Sequence, residues 1–209
     1  FFLHFLLFNL LICLPLGNLF SQQPIEEWAR RYNSSDNLND GPREMILDKF
    51  GNICIVGTSN TTSQGNNIVT LKYNSSGNLL WSVQYNQISN INDVGTSIAT
   101  DSTGNIYITG NCGFNLGPHD IVTIKYNSDG VQQWAKVYTS PNNADDGSTD
   151  IAVDKTGNIY VCGFSGTPYN LGAAVLIKYN NNGDTIWVLS ESPTGIRAEF
   201  SAMKIDMSG

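Results

Sequence analysis

The chain has 209 residues, 11 Lys+Arg against 18 Asp+Glu, and a net charge of −7. An acidic chain with no basic patch lacks the electrostatic footprint of a nucleic-acid binder. Its 41% hydrophobic content excludes general disorder, and four Cys are too few for a disulfide scaffold.

Residues 1–20 read FFLHFLLFNLLICLPLGNLF and carry no acidic or basic side chain. The apolar run 5–16 has the length of a signal-peptide core, broken by Pro15, Gly17 and Asn18 and followed by the small residue Ser21. The expectation is a signal peptide over 1–21, a mature region over 22–209, and export to the cell surface or medium, with no membrane span left after cleavage. His4, Asn9, Pro15 and Asn18 weaken the rival reading of a retained anchor.

The four tryptophans, Trp28, Trp81, Trp134 and Trp187, stand 53 residues apart. Asp48, Asp101 and Asp154 keep that step. So do Gly57, Gly110 and Gly163, and the Lys-Tyr-Asn triplets that begin at Lys72, Lys125 and Lys178. From Trp28 to Gly209 there are about 3.4 such units. Within a unit the second copy shows four short strands. The first covers 98–100 and the second 106–109. The third covers 121–126, and the fourth runs from near Trp134 to near Tyr138. Alternating β-branched and aromatic residues between Gly/Asn/Asp/Ser turns are the strand signature. The fold expected is all-β: a β-propeller built from four-stranded antiparallel blades, here about 3.4 blades of a larger ring. The β-sandwich alternative needs no constant step between tryptophans. The last unit stops in a turn at Met207-Ser208-Gly209, so the chain reads as a fragment of a longer protein, with no oligomer expected for the full-length form.

The pattern Trp81–Asn86, Asp101–Gly110 and Ile121–Trp134 resembles the bacterial β-propeller repeat family known as SBBP. The third unit matches through 154–163 and 174–187. The first departs at Cys54, where the others hold Tyr107 and Tyr160. The resemblance implies an exported bacterial protein with a ring of about seven blades. It implies no settled catalytic residues.

Several residue series could carry chemistry. The tryptophans read as fillers between blades rather than a binding platform. Asp48, Asp101 and Asp154 open Gly-containing turns and lack the ligand spacing of a calcium loop. Lys72, Lys125 and Lys178 recur, so they read as structural partners of carboxylates or carbonyls. Cys54, Cys112 and Cys162 take different places in their units and read as small buried side chains, with one chance disulfide left open. A second polar series, Asn37 to Asp40, Asn90 to Asp93 and Asn143 to Asp146, joins one unit to the next. With the loops 59–66, 111–119 and 164–172 it is expected to form one face of the ring. That face would present Asp40, Asp93 and Asp146 at the channel mouth, with Asn37, Asn90, Asn143, Asn115, His119 and Tyr169 as further ligand candidates. Two readings stand for the Asp series: a cation or polar-ligand site, with calcium as the ion, or carboxylates that hold their own loops.

No catalytic constellation is legible, because the mature region holds one histidine, His119, and no nucleophile elbow or phosphate loop. The functions ranked are a binding or adhesion scaffold for protein or glycan, then a structural spacer, then an extracellular lyase or hydrolase with its site at the channel mouth.

Overall fold

The computed structural model describes residues 28–87, 92–113, 117–141, 143–166, 172–192 and 198–206. The expected signal peptide, and the candidates Asn90, Asn115 and Tyr169, lie outside the described residues.

Among the described residues, twelve strands form three separate four-stranded antiparallel sheets, each in sequential order. Blade 1 comprises β1 (Asp40–Leu47), β2 (Ile53–Thr61), β3 (Gly65–Tyr73) and β4 (Leu79–Tyr85). Blade 2 comprises β5 (Asp93–Thr100), β6 (Ile106–Gly113), β7 (His119–Tyr126) and β8 (Gln132–Tyr138). Blade 3 comprises β9 (Asp146–Val153), β10 (Ile159–Ser165), β11 (Ala173–Tyr179) and β12 (Thr185–Glu191). Each is a propeller blade. Strand β5 packs on β1, β2 and β3, and β9 packs on β5, β6 and β7, so the first strands lie side by side on the inner edge.

The first strand of each blade is longer than its sequence suggests. Residues 93–97 read as loop, yet Asp93 pairs with Cys112 at the start of β5. The reason is a bulge. The ladder skips Arg43, Thr96 and Thr149 in β1, β5 and β9. One extra residue shifts the side chains to the other face and destroys the period-two pattern. The terminal segment 202–206, which by the step of 53 holds the place of residues 149–153 in β9, is not in a strand. That segment and the residues just before it nonetheless lie along blade 3: the Phe200 N–H donates to Gly163 O at 3.2 Å, and the Met203 N–H to Asp150 Oδ2 at 2.7 Å.

Apolar faces of neighbouring blades meet in two cores. Cys54, Val56 and Ile68 of blade 1 pack on Ile98, Ile106, Ile108, Val122, Ile124 and Tyr126 of blade 2. Tyr107 and Ile121 of blade 2 pack on Ile151, Ile159, Val161, Val175, Ile177 and Tyr179 of blade 3. A lone sheet cannot bury both faces, and stacking does so.

The repeated polar residues fasten these junctions. Trp81 Nε1 donates to Ser128 O in the next blade at 3.0 Å, and Trp134 Nε1 donates to Asn181 O at 3.0 Å. The indoles lie against Tyr126 and Tyr179, with centroids 6.4 and 6.3 Å apart. They also cover Gly130 and Gly183, where a Cβ would stand 2.8 Å from the ring. The lysines reach the same carbonyls: Lys72 Nζ is 3.4 Å from Ser128 O, and Lys125 Nζ is 3.3 Å from Asn181 O. The tryptophans and lysines therefore clamp blade to blade.

The Cys54 departure also has a consequence. Tyr107 and Tyr160 donate their hydroxyls to Asp101 and Asp154 of their own turns at 3.0 and 3.2 Å. With the short Cys54 in that place, Lys72 meets Asp48 directly at 3.0 Å, both side chains buried. Burial raises the Asp48 carboxyl, but bonds from Asn52, Lys72 and Phe50 outweigh it and hold it below its ordinary value. Asp101 and Asp154 are lowered in the same way by bonds within their turns. These aspartates are turn formers, as expected. Cys54, Cys112 and Cys162 are free and buried, so the chance disulfide does not form among them.

Candidate functional site

The segments joining consecutive blades and the hairpins between second and third strands interlock on one face, as the sequence suggests. The Asn60 N–H donates to Asn39 O at 3.0 Å, and the Gly166 N–H to Asp145 O at 2.9 Å. Asp36 Oδ2 accepts both the N–H and the hydroxyl of Thr62 at 2.7 Å. Those bonds, the Thr62 amide first, hold the exposed Asp36 carboxyl below its ordinary value.

The Asp series takes a different place from the one expected. Asp93 and Asp146 are buried at the starts of β5 and β9 rather than presented at a channel mouth, and Asp40 is half-buried. One carboxylate oxygen of each closes its own connecting segment. Asp40 Oδ2 accepts the Ser34 N–H at 2.8 Å, while Asp93 Oδ2 and Asp146 Oδ2 accept those of Gln87 and Ser140 at 2.7 Å. The physical reason is that each aspartate begins a first strand and is paired into its sheet, Asp40 with Ser59, Asp93 with Cys112 and Asp146 with Ser165. Burial pushes the Asp93 carboxyl up to about 6 and also raises Asp146. Asn37 and Asn143 adopt left-handed backbones, φ 53° and 48°, and close turns onto Ser34 O and Ser140 O. Asn tolerates that conformation better than most residues. These five residues are thus occupied in shaping the loops.

His119 is different. It opens β7, and its N–H donates to Asp145 Oδ1 at 2.9 Å. The ring Nδ1 stands 2.7 Å from the same oxygen. The contact runs from blade 2 to the segment that enters blade 3, and both side chains are partly exposed. The ring lies over Gly113, where a Cβ would come within 2.6 Å of its Cδ2, so glycine is needed there. The places equivalent to His119 hold Asn66 and Gly172. In blade 1 the weaker version survives, with the Asn66 N–H donating to Asn92 Oδ1 at 3.3 Å. The frame is therefore shared, and the imidazole–carboxylate pair occurs once. With Nδ1 held by Asp145, Nε2 makes no hydrogen bond among the described residues. Sequence reading named His119 but missed Asp145, because 26 residues separate them and only the stacking of blades brings them together.

Fold and junctions define the chain as a run of β-propeller blades. Residues 80–116 match the SBBP family, described as a beta-propeller repeat, and that stretch is a repeat of this kind. Among solved structures, the chain is similar to a fucose lectin from Kordia zhangzhouensis in complex with methyl-fucoside. The identity is 16% and the TM-score 0.43, over 73% of this chain and 100% of that one. No curated protein matches the chain.

Proposed function

We propose that this is an exported β-propeller repeat protein that serves as a binding scaffold, and that its ligand face is the one carrying His119 and Asp145. A glycan is the ligand class we favour, with a protein surface second. One observation supports the reading above the others. On a face whose repeated residues tie their own loops, the His119–Asp145 pair is exposed and unique to one junction. Its donor and acceptor atoms suit hydroxyl groups, which both give and accept hydrogen bonds. Export rests on the apolar run 5–16.

The test is a glycan array followed by calorimetry on hits. Binding that falls at least about tenfold in His119→Ala and Asp145→Asn, with an unchanged melting temperature, supports the proposal. Equal binding by both variants, or no ligand on the array or among surface proteins, defeats it and leaves the structural-spacer reading. The pair also has the form of a base and its orienting carboxylate, which is the observation that bears on the hydrolase reading ranked third. Among the described residues no Ser, Thr or Cys side chain is hydrogen-bonded to His119.

A further inference from the structure

The turns between first and second strands lie on the face away from His119, and there the two junctions differ. Between blades 1 and 2 the space is filled. The Phe50 ring lies on Gly104 of the next blade, where a Cβ would stand 3.1 Å from it, and Lys49 Nζ sits over that ring, 4.8 Å from its centroid. Between blades 2 and 3, Ser102 and Thr103 hold the places of Lys49 and Phe50, and Asn181 holds that of Ser128. Thr103 folds back on its own turn, its hydroxyl donating to Asp101 Oδ1 at 2.7 Å. Gly157, in the place of Gly104, has Asn181 as its nearest neighbour, 3.6 Å from where a Cβ would stand. A cleft of about 380 Å³ opens between the two turns, lined by Thr100, Ser102, Thr103, Lys155, Thr156 and Asn181.

The chemistry of the walls selects the occupant. Asp101 and Asp154 also line the cleft. Burial raises both carboxyls, but bonds within their own turns outweigh it and hold both below the ordinary value, so both are charged. Their oxygens are taken. Asp101 Oδ1 accepts the N–H groups of Thr103 and Asn105 at 2.8 and 3.1 Å besides the Thr103 hydroxyl, and Oδ2 accepts Asn105 Nδ2 at 2.8 Å and the Tyr107 hydroxyl at 3.0 Å. Asp154 is closed in the same way by Thr156, Asn158 and Tyr160. Two carboxylates against one lysine disfavour an anion, and saturated carboxylates offer a cation no ligand. What is left is neutral. Lys125 Nζ donates to Asn181 Oδ1, which turns Asn181 Nδ2 the other way. Neither Asn181 Nδ2 nor Ser102 Oγ makes a hydrogen bond among the described residues.

We propose that this cleft binds one neutral saccharide unit, with Ser102 Oγ and Asn181 Nδ2 as its hydrogen-bonding groups and Thr103 as the residue that keeps it open. The hydroxyls of a sugar ring both give and accept hydrogen bonds, which suits a serine hydroxyl beside an amide N–H. The volume suits a single ring. The site is separate from the His119 face and does not rest on that reading.

The test is amide NMR of the full chain, titrated with a panel of methyl hexosides and methyl deoxyhexosides. At least one glycoside should shift the amides of residues 100–105 and 153–157 saturably, with a Kd of about 1–10 mM. Thr103→Phe copies blade 1 into this junction and should weaken that binding at least about tenfold. Blade 1 shows that the turn accepts the ring, because the Phe50 N–H keeps the bond to Asp48 Oδ1, at 2.8 Å, that the Thr103 N–H makes to Asp101 Oδ1. The converse chain carries Lys49→Ser, Phe50→Thr and Ser128→Asn together, and should gain a second set of shifts at residues 48–52. No saturable shift with any glycoside overturns the proposal, as do shifts confined to the residues around His119 or undiminished binding by Thr103→Phe. A stronger response of the same amides to sodium phosphate or calcium chloride overturns it too, since the occupant is then an ion. If Thr103→Phe loses its dispersed spectrum, the converse chain decides, and the lack of a second set of shifts there overturns the proposal.

Discussion

Equivalent apolar places behave differently in blade 1 and blade 2. In blade 2, Ile106 and Ile108 are sealed against the back of blade 1; in blade 1, Ile53 and Ile55 are half-buried beside an open groove, while Val69, Leu71 and Tyr73 are buried under the segment that carries Tyr32. Met45, Ile98 and Ile151 hold one repeat place, and their exposures are 62%, 3% and 4%. Sequence and local strand geometry are shared, so the difference is made by the neighbour alone. A blade in this architecture is half an interface, and its stability belongs largely to the junctions.

The largest test of that comparison is the matched truncation. Ile98→Ala should cost about 3 kcal/mol in urea unfolding, whereas Met45→Ala should cost less than about 0.5 kcal/mol. Similar losses would break the comparison. The next uses pH. Asp93 sits in the covered junction with its carboxyl raised by burial from 3.8 to about 6, so the folded state holds the proton more tightly than the unfolded chain. Its contribution is present below about pH 4 and is lost as pH rises through about 6. Asp93→Asn keeps an oxygen for the Gln87 amide and should flatten that fall, by about 2 kcal/mol. A wild-type profile with no such fall would contradict the assignment.

Smaller effects sharpen the role of the clamps. Gly130 and Gly51 share a positive φ, 82° and 78°, but only Gly130 lies under an indole. Gly130→Ala should therefore cost about 1–2 kcal/mol more than Gly51→Ala in chemical denaturation. Trp134→Phe should lose about 0.5–1 kcal/mol with the bond to Asn181 O, and Trp187→Phe, on the open back of blade 3, close to nothing. Equal losses at Trp134 and Trp187 would show that the indoles act within their own blades.

Much of this was legible in the residues. The step of 53 reveals the blades, and constant residues such as Trp81, Lys125 and Asp101 have the structural roles their recurrence implies. The inner strands were read short, because the bulges at Arg43, Thr96 and Thr149 break the alternation on which strand reading depends. For the same reason the sequence pattern puts Asp93 and Asp146 in a rim loop, whereas both are buried at strand starts. Asp145 was not legible as a partner of His119, since the pairing exists only across stacked blades. The open face of blade 1 was hidden too, because its residues are as apolar as those of its covered counterparts.

Junctions, not single blades, confer protection in this molecule. Amide hydrogen exchange at Leu71, Ile124 and Ile177, three equivalent third-strand places, tests it most directly. Ile124 and Ile177 should exchange at least about tenfold more slowly than Leu71. Equal protection at all three would contradict it.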